Sequence, residues 1–261
     1  MDVMDVWYAR IDDQDILATL PKALRSRVAK RIEKATAHSG SELVYPKLVD
    51  EQEGRPPIRD MPPTIFHLEE TRDPGFLGAM RDVLAKYKDT LPEDRRVLFD
   101  RFELMDIAVK VVGIGSVGRR CLVALFTSVA GHPFFLQVKE ANASVLEPHA
   151  GASLYPHHGQ RVVMGQRIMQ PASDIFLGWV TGQGGRRHFY LRQLRDVKLS
   201  PLVETFDAQT LVNYARCCAW ALARAGPRQE RRPMGDQRVP RQERRVRQGH
   251  GPIRPCLCGP G

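Results

Sequence analysis

The sequence predicts an α+β fold: helices first, then a mainly antiparallel sheet carrying a glycine-rich hairpin, one further helix, and a basic tail without structure. Three observations predict it. Apolar residues recur at helical spacing through much of residues 1–100. From Ala108 to Ala141 the pattern changes to short β-branched and apolar runs, separated by turns that contain Gly or Pro. After Ala225 hydrophobic periodicity stops, and Arg, Gln, Pro and Gly take over.

Asp5 to Leu20 reads as a helix with Val6, Ile11, Ile16 and Leu20 loosely on one face. Pro21 opens a second helix at its first position, and Gly40 closes it. A Pro-rich connection follows, with short extended pieces around Ile58 and Ile65. Asp73 and Pro74 start an amphipathic helix, and another begins after Leu91-Pro92. "AVKVVGIG", "RRCLVALF" and "HPFFLQVKEA" have the length and composition of strands. Gly159 to Gln170 returns to helical spacing. "DIFLGWV" and "RHFYLRQLRDV" flank "TGQGGR" as a hairpin, and Asp207 is placed to cap a helix through Ala225. The organisation is a helical region over 1–100, a sheet-bearing lobe with its following helix over 101–225, and a tail over 226–261.

Hydrophobic residues make up 43% of the chain, enough for a core. No stretch approaches the roughly 20 apolar residues of a membrane helix, so no membrane partner is predicted. The acidic start "MDVMDVWYARIDDQ" lacks the n- and h-regions of a signal peptide. Cys121, Cys217, Cys218, Cys256 and Cys258 are scattered, odd in number and without a C-x-x-C, which predicts a reducing, cytoplasmic setting. The net charge is +9, but nine arginines against three acids after Ala225 place +6 of it in the tail. Any nucleic-acid binding rests on that tail alone.

Gly113, Gly115 and Gly118 in "VKVVGIGSVGRRCLVALF" fit G-x-G-x-x-G, a pattern two folds use. In dinucleotide-binding proteins a helix follows the glycines, and an acid about 20 residues on holds the ribose. In protein kinases the glycines join two antiparallel strands, and a lysine on the third strand pairs with the phosphates. Glu140 suits the first arrangement. Arg119 to Ser128, however, is a poor helix sequence, and the run through "QVK" to Lys139 matches the second. A glycine hairpin that binds nothing is the plain alternative, because a lone glycine motif has low specificity.

"DIAVKVVGIGSVGRRC", "FFLQVKEANASVLEP", "HGQRVVMGQRIMQPASDIFLGW" and "FYLRQLRDVKLS" together resemble the bacterial family called "domain of unknown function 2252", grouped with the protein-kinase-like superfamily. The resemblance covers Val3 to Ala225. It implies a kinase-like small lobe and an ATP-type site, with magnesium accompanying the nucleotide. Gly113, Gly115, Ser116 and Gly118 would offer backbone N–H groups to phosphate, and Lys139 a point charge. Kinases hold that lysine with a glutamate on the next helix, yet Gly159–Gln170 contains no acid. Glu147 and Glu140 are the nearest candidates for the role, with Glu147 preferred.

The family's catalytic motifs resemble nothing in residues 1–112, so the resemblance implies a chain truncated at its N-terminus and without catalytic residues. Past Ala225 the family continues as His-Ala-Arg-Ser-Gly-Asp. Codons for Pro227 to Arg232, read one base out of register, permit that string, so the tail is expected to be frameshifted and the preceding helix short of packing partners. Two alternatives remain open: a nucleic-acid binder using the tail, and a NAD-type oxidoreductase. Among other candidates, His149, His157 and His158 read as polar loop rather than metal ligands. Cys256 and Cys258 lack partner ligands. Cys217 and Cys218 read as buried thiols, and Asp174 as a turn residue. Arg192, Arg195, Asp196 and Lys198 form a charged strand face that would border the cleft.

Overall fold

The computed structural model describes residues 8, 10, 12–37, 41–50, 56–113, 118–170, 173–194 and 203–230. Of the described elements, helices α1 (Asp13–Thr19), α2 (Lys22–Ala37) and α3 (Ser41–Leu48) come first. Residues 1–7, 9 and 11 lie outside the described residues; within the expected helix from Asp5 to Leu20, α1 starts at Asp13, where Asp12 builds a capping box. Its carboxylate accepts from the Asp15 N–H at 2.8 Å, and Asp15 returns the bond to the Asp12 N–H at 3.1 Å. Helix α3 has no counterpart in the sequence reading, since Pro46 inside it masks the helical pattern.

Strand β1 (Ile65–Phe66), helix α4 (Glu69–Arg72), α5 (Pro74–Lys88) and α6 (Glu93–Phe99) lead into the sheet. Asp73 caps α5 as expected, accepting from the Gly75 N–H at 2.9 Å. Then come β2 (Phe102–Lys110), β3 (Cys121–Ser128), β4 (Pro133–Ala141), α7 (Glu147–Ala150), α8 (His158–Met169), β5 (Gly178–Thr181), β6 (His188–Gln193), a 3-10 turn (Val203–Thr205) and α9 (Ala208–Glu230). The strand order is β1-β2-β3-β4-β6-β5, with every neighbouring pair antiparallel.

The sheet reads differently from expectation at β2, which starts at Phe102 rather than Ala108. A bulge between Leu104 and Asp106 is the reason. It puts both Leu104 and Ile107 into one core cluster, so the strand carries an i, i+3 apolar spacing that imitates a helix. The hairpin β5–β6 forms where predicted. Gly184 and Gly185 supply its turn at φ +78° and +73°, a region L side chains rarely adopt.

Two cores cover the two sheet faces. On one, Ala124, Phe126, Phe134, Leu136, Val138 and Leu191 pack against Val83, Leu84, Tyr87 and Leu91 of α5 and its following turn, and Phe99 of α6. Tyr87 is fully buried, and its hydroxyl donates to the Phe176 carbonyl. On the other, Val123, Leu125 and Phe135 meet Leu48, Val49, Ile58 and Ile65. The central strand β4 is therefore covered on both faces, as its nearly unbroken apolar run requires.

Asp207 caps α9, accepting from the Thr210 N–H at 2.7 Å. The helix continues to Glu230, past the expected limit at Ala225, and packs on α8 and α1. Leu211, Val212 and Leu222 on it remain exposed. Met1–Glu230 cluster as one compact unit. The expected tail, and Cys256 and Cys258 with it, lies outside the described residues from 231 on. No helix among the described residues is long and apolar enough to cross a membrane.

Candidate functional site

Along β4 the face covered by Val49, Ile58 and Ile65 changes character toward the glycine turn. Phe135 is fully buried and apolar, Gln137 is buried but polar, and Lys139 is half-buried and charged. Side chains directly opposite one another in adjacent antiparallel strands share a face. Cys121 on β3, Lys139 on β4 and Tyr190 on β6 stand in such a row. One row further in, Gln137 lies opposite Arg192 and Val123. The Gln137 side-chain carbonyl accepts from Arg192 Nε at 3.2 Å and Nη2 at 3.1 Å, and its amide donates to Cys121 Sγ at 3.6 Å. This network floors the polar end of the face.

Above it opens a cavity of about 550 Å³. Its walls include Gly113 after β2, Arg119 and Arg120 before β3, Lys139 on β4, and Arg161 and Val162 on α8. The turn from β2 to β3 begins and ends on glycines that need to be glycine. Gly113 has φ +42° and Gly118 φ +75°, and a Cβ on either would meet nothing, so backbone conformation rather than space demands them. Gly115 and Ser116 lie outside the described residues. Directly after Gly118 comes β3, a strand antiparallel to β2, where the dinucleotide arrangement needs a helix.

Helix α8 reaches the cavity because three contacts tie its N-terminus to β6 and to itself. His157 caps it, with Nδ1 accepting from the Gln160 N–H at 3.2 Å. The His158 N–H donates to His188 Nδ1 at 3.0 Å, and the His157 and His188 rings stack at 3.9 Å. Burial, then the neighbouring His188, pushes the His157 imidazole down to about 4. These histidines hold an element in place. No group of three or more His, Cys, Asp or Glu among the described residues could hold a metal ion.

The two expected acids sit differently about the cavity. Glu147 is the first residue of α7 and accepts from the Ser144 N–H at 3.2 Å; it is not among the residues lining the cavity. Glu140 does line it, but both carboxylate oxygens are engaged. Oε2 accepts from the Arg120 N–H at 2.9 Å, and Oε1 meets Arg187 Nη1 at 2.8 Å. Burial tends to raise the Glu140 carboxyl, and these donors together outweigh it and hold it below its ordinary value. Helix α8 offers Arg161 to the cavity, and its Nη2 donates to the Asn142 carbonyl at 2.7 Å. The cavity's described walls therefore present Arg119, Arg120, Lys139 and Arg161 against Glu140 alone. Cations of this kind suit phosphate. Among the described walls the one carboxylate is already bound, so these walls suit magnesium, which is held by carboxylate oxygens, poorly.

Sequence reasoning singled out Lys139 and the glycines and passed over the arginines that share the cavity wall with Gly113 and Lys139. The signal was present in the "GRR" that closes the turn, and in Arg161 on a helix that lacks acids. Asp174 serves the turn, as read: Oδ1 accepts from the Phe176 N–H at 2.9 Å and Oδ2 from the Gln193 N–H. Arg192 bonds Gln137 and is not among the residues lining the cavity, while Arg195, Asp196 and Lys198 lie outside the described residues. Burial raises the Cys121 thiol above its ordinary value, and Lys139, Gln137, Lys110 and Arg192 offset only part of that, so it is an inert core thiol.

No curated protein and no solved structure matches the chain. A family model described as "Uncharacterized protein conserved in bacteria (DUF2252)" matches residues 1–248. The chain belongs to the DUF2252 family of bacterial proteins.

Proposed function

We propose that this chain carries a kinase-like lobe whose cavity binds the phosphates of an ATP-type nucleotide. The observation that carries the reading is the meeting of Gly113 and Lys139 in one cavity, from β2 and β4, across the intervening β3. The element order supports it: two strands joined by a glycine turn, a third strand with the lysine, a helix, then two more strands. In kinases that order lets the glycine turn cover the phosphates while the strand lysine pairs with them. Here the Gln137–Arg192–Cys121 network would keep the sheet floor rigid beneath Lys139, and Arg119, Arg120 and Arg161 would add charge around the phosphates. The strand after Gly118 weighs against a NAD-type site. Phosphoryl transfer is no part of the proposal.

Thermal unfolding with and without ATP tests it. Ligand at a hundredfold excess over Kd stabilises a folded state by about 2.7 kcal/mol. For a unit of this size that raises Tm by about 5–10 °C. Lys139→Ala is expected to abolish most of the shift. A shift that survives this substitution unchanged would overturn the placement of the site.

A further inference from the structure

We infer that the cavity takes a polyphosphate anion without a bridging divalent metal, the chain's own cations neutralising the phosphates; the inference rests on the nucleotide reading above. Kinases bring the metal in on carboxylates and let it bridge the phosphate oxygens. The described walls of this cavity supply the opposite chemistry. Arg119, Arg120, Lys139 and Arg161 line about 550 Å³ together with Glu140 alone among acids. Glu140 has already committed Oε1 to Arg187 and Oε2 to the Arg120 N–H. The remaining polar walls, such as Asn142 and Ser144, are neutral.

Arg161 adds a separate observation. One of its amino groups is fixed on the Asn142 carbonyl, while its Nε is buried without a hydrogen-bond partner. Buried polar groups in native proteins are nearly always paired, and a guanidinium that retains a spare donor beside a cavity suits an incoming oxyanion. Like charges gathered around one space also repel, and a multiply charged anion relieves that repulsion. A divalent cation would add to it. Magnesium in solution therefore competes with the cavity for the same phosphate oxygens instead of assisting binding.

Calorimetric titration of the full chain with inorganic tripolyphosphate, once in EDTA and once in excess magnesium chloride, tests this. Binding is expected in EDTA and is expected to weaken when magnesium is added. Arg161→Gln and Arg119→Gln are each expected to weaken binding in EDTA about tenfold, the loss of one charge-assisted contact. Arg119 is exposed, so its replacement leaves the fold intact and keeps the test valid if the α8 variant is unstable. Binding that requires magnesium overturns the inference while leaving the nucleotide reading in place. Binding that both arginine variants retain in full also overturns it. No binding in either buffer overturns both.

Discussion

Gly159 and Gly165 lie on the same helix, and replacing each by Ala should move stability in opposite directions. At Gly159 a Cβ would come within 2.2 Å of the Phe189 carbonyl oxygen, 2.8 Å of its carbon and 2.9 Å of His157 Cε1. Backbone atoms cannot rotate out of the way. Restoring ordinary contact of 3.4 Å makes α8 retreat from β6 by on the order of 1 Å. That retreat strains the His158 N–H bond to His188, now 3.0 Å. Overpacking of this kind costs about 1–3 kcal/mol. The helix-propensity gain of alanine, at most about 1 kcal/mol, offsets part of it. With that offset taken in full, the net expectation for Gly159→Ala is a loss of up to about 2 kcal/mol, or up to about 8 °C in Tm. At Gly165 an added Cβ meets nothing within 4 Å, so Gly165→Ala should gain up to about 1 kcal/mol. Urea unfolding followed by far-UV circular dichroism measures both. The retreat also carries Arg161 away from the cavity, so tripolyphosphate should bind Gly159→Ala more weakly. If Gly159→Ala proves as stable as Gly165→Ala, the close packing of α8 on β6 is refuted.

Two further predictions concern pH. His67 is buried between two carboxylates, with Nδ1 2.7 Å from Asp60 and Nε2 3.0 Å from Asp106, and the Asp106 hydrogen bond leads in raising its pKa above 6.5. Its contribution is full below pH 6.5 and fades as pH rises through the higher folded-state value. His67→Gln should therefore cost about 1–3 kcal/mol at pH 6 and less at pH 8; equal losses in urea titrations at both pH values would refute the protonated bridge. The sign reverses at His157, whose folded-state value is lowered to about 4. Stability is lost as pH falls from 6.5 toward 4, because only the unfolded chain takes up the proton there. His157→Asn keeps a capping oxygen but does not titrate, so a Tm–pH series should show a shallower acid limb, with His188 supplying what remains. An acid limb as steep as that of the parent chain would count against the histidine stack.

The order of elements was written locally. Caps at Asp73 and Asp207, the glycine pair at Gly184 and Gly185, and the β-branched runs of β3 and β4 each act within a few residues, so they could be recognised in one dimension. The strand after Gly118 was legible for the same reason. The bulge in β2 was not, because its register depends on a partner strand, and its i, i+3 spacing imitates a helix. Nor was the Asp60–His67–Asp106 bridge, whose members lie 39 residues apart at the widest hydrogen bond. The electrostatics of the cavity belonged entirely to the tertiary structure. Sequence alone could place a lysine near glycines, but charge acts through space. Only packing α8 against β6, while Arg187 and the Arg120 amide occupy Glu140, brought Arg119, Arg120, Lys139 and Arg161 around one cavity.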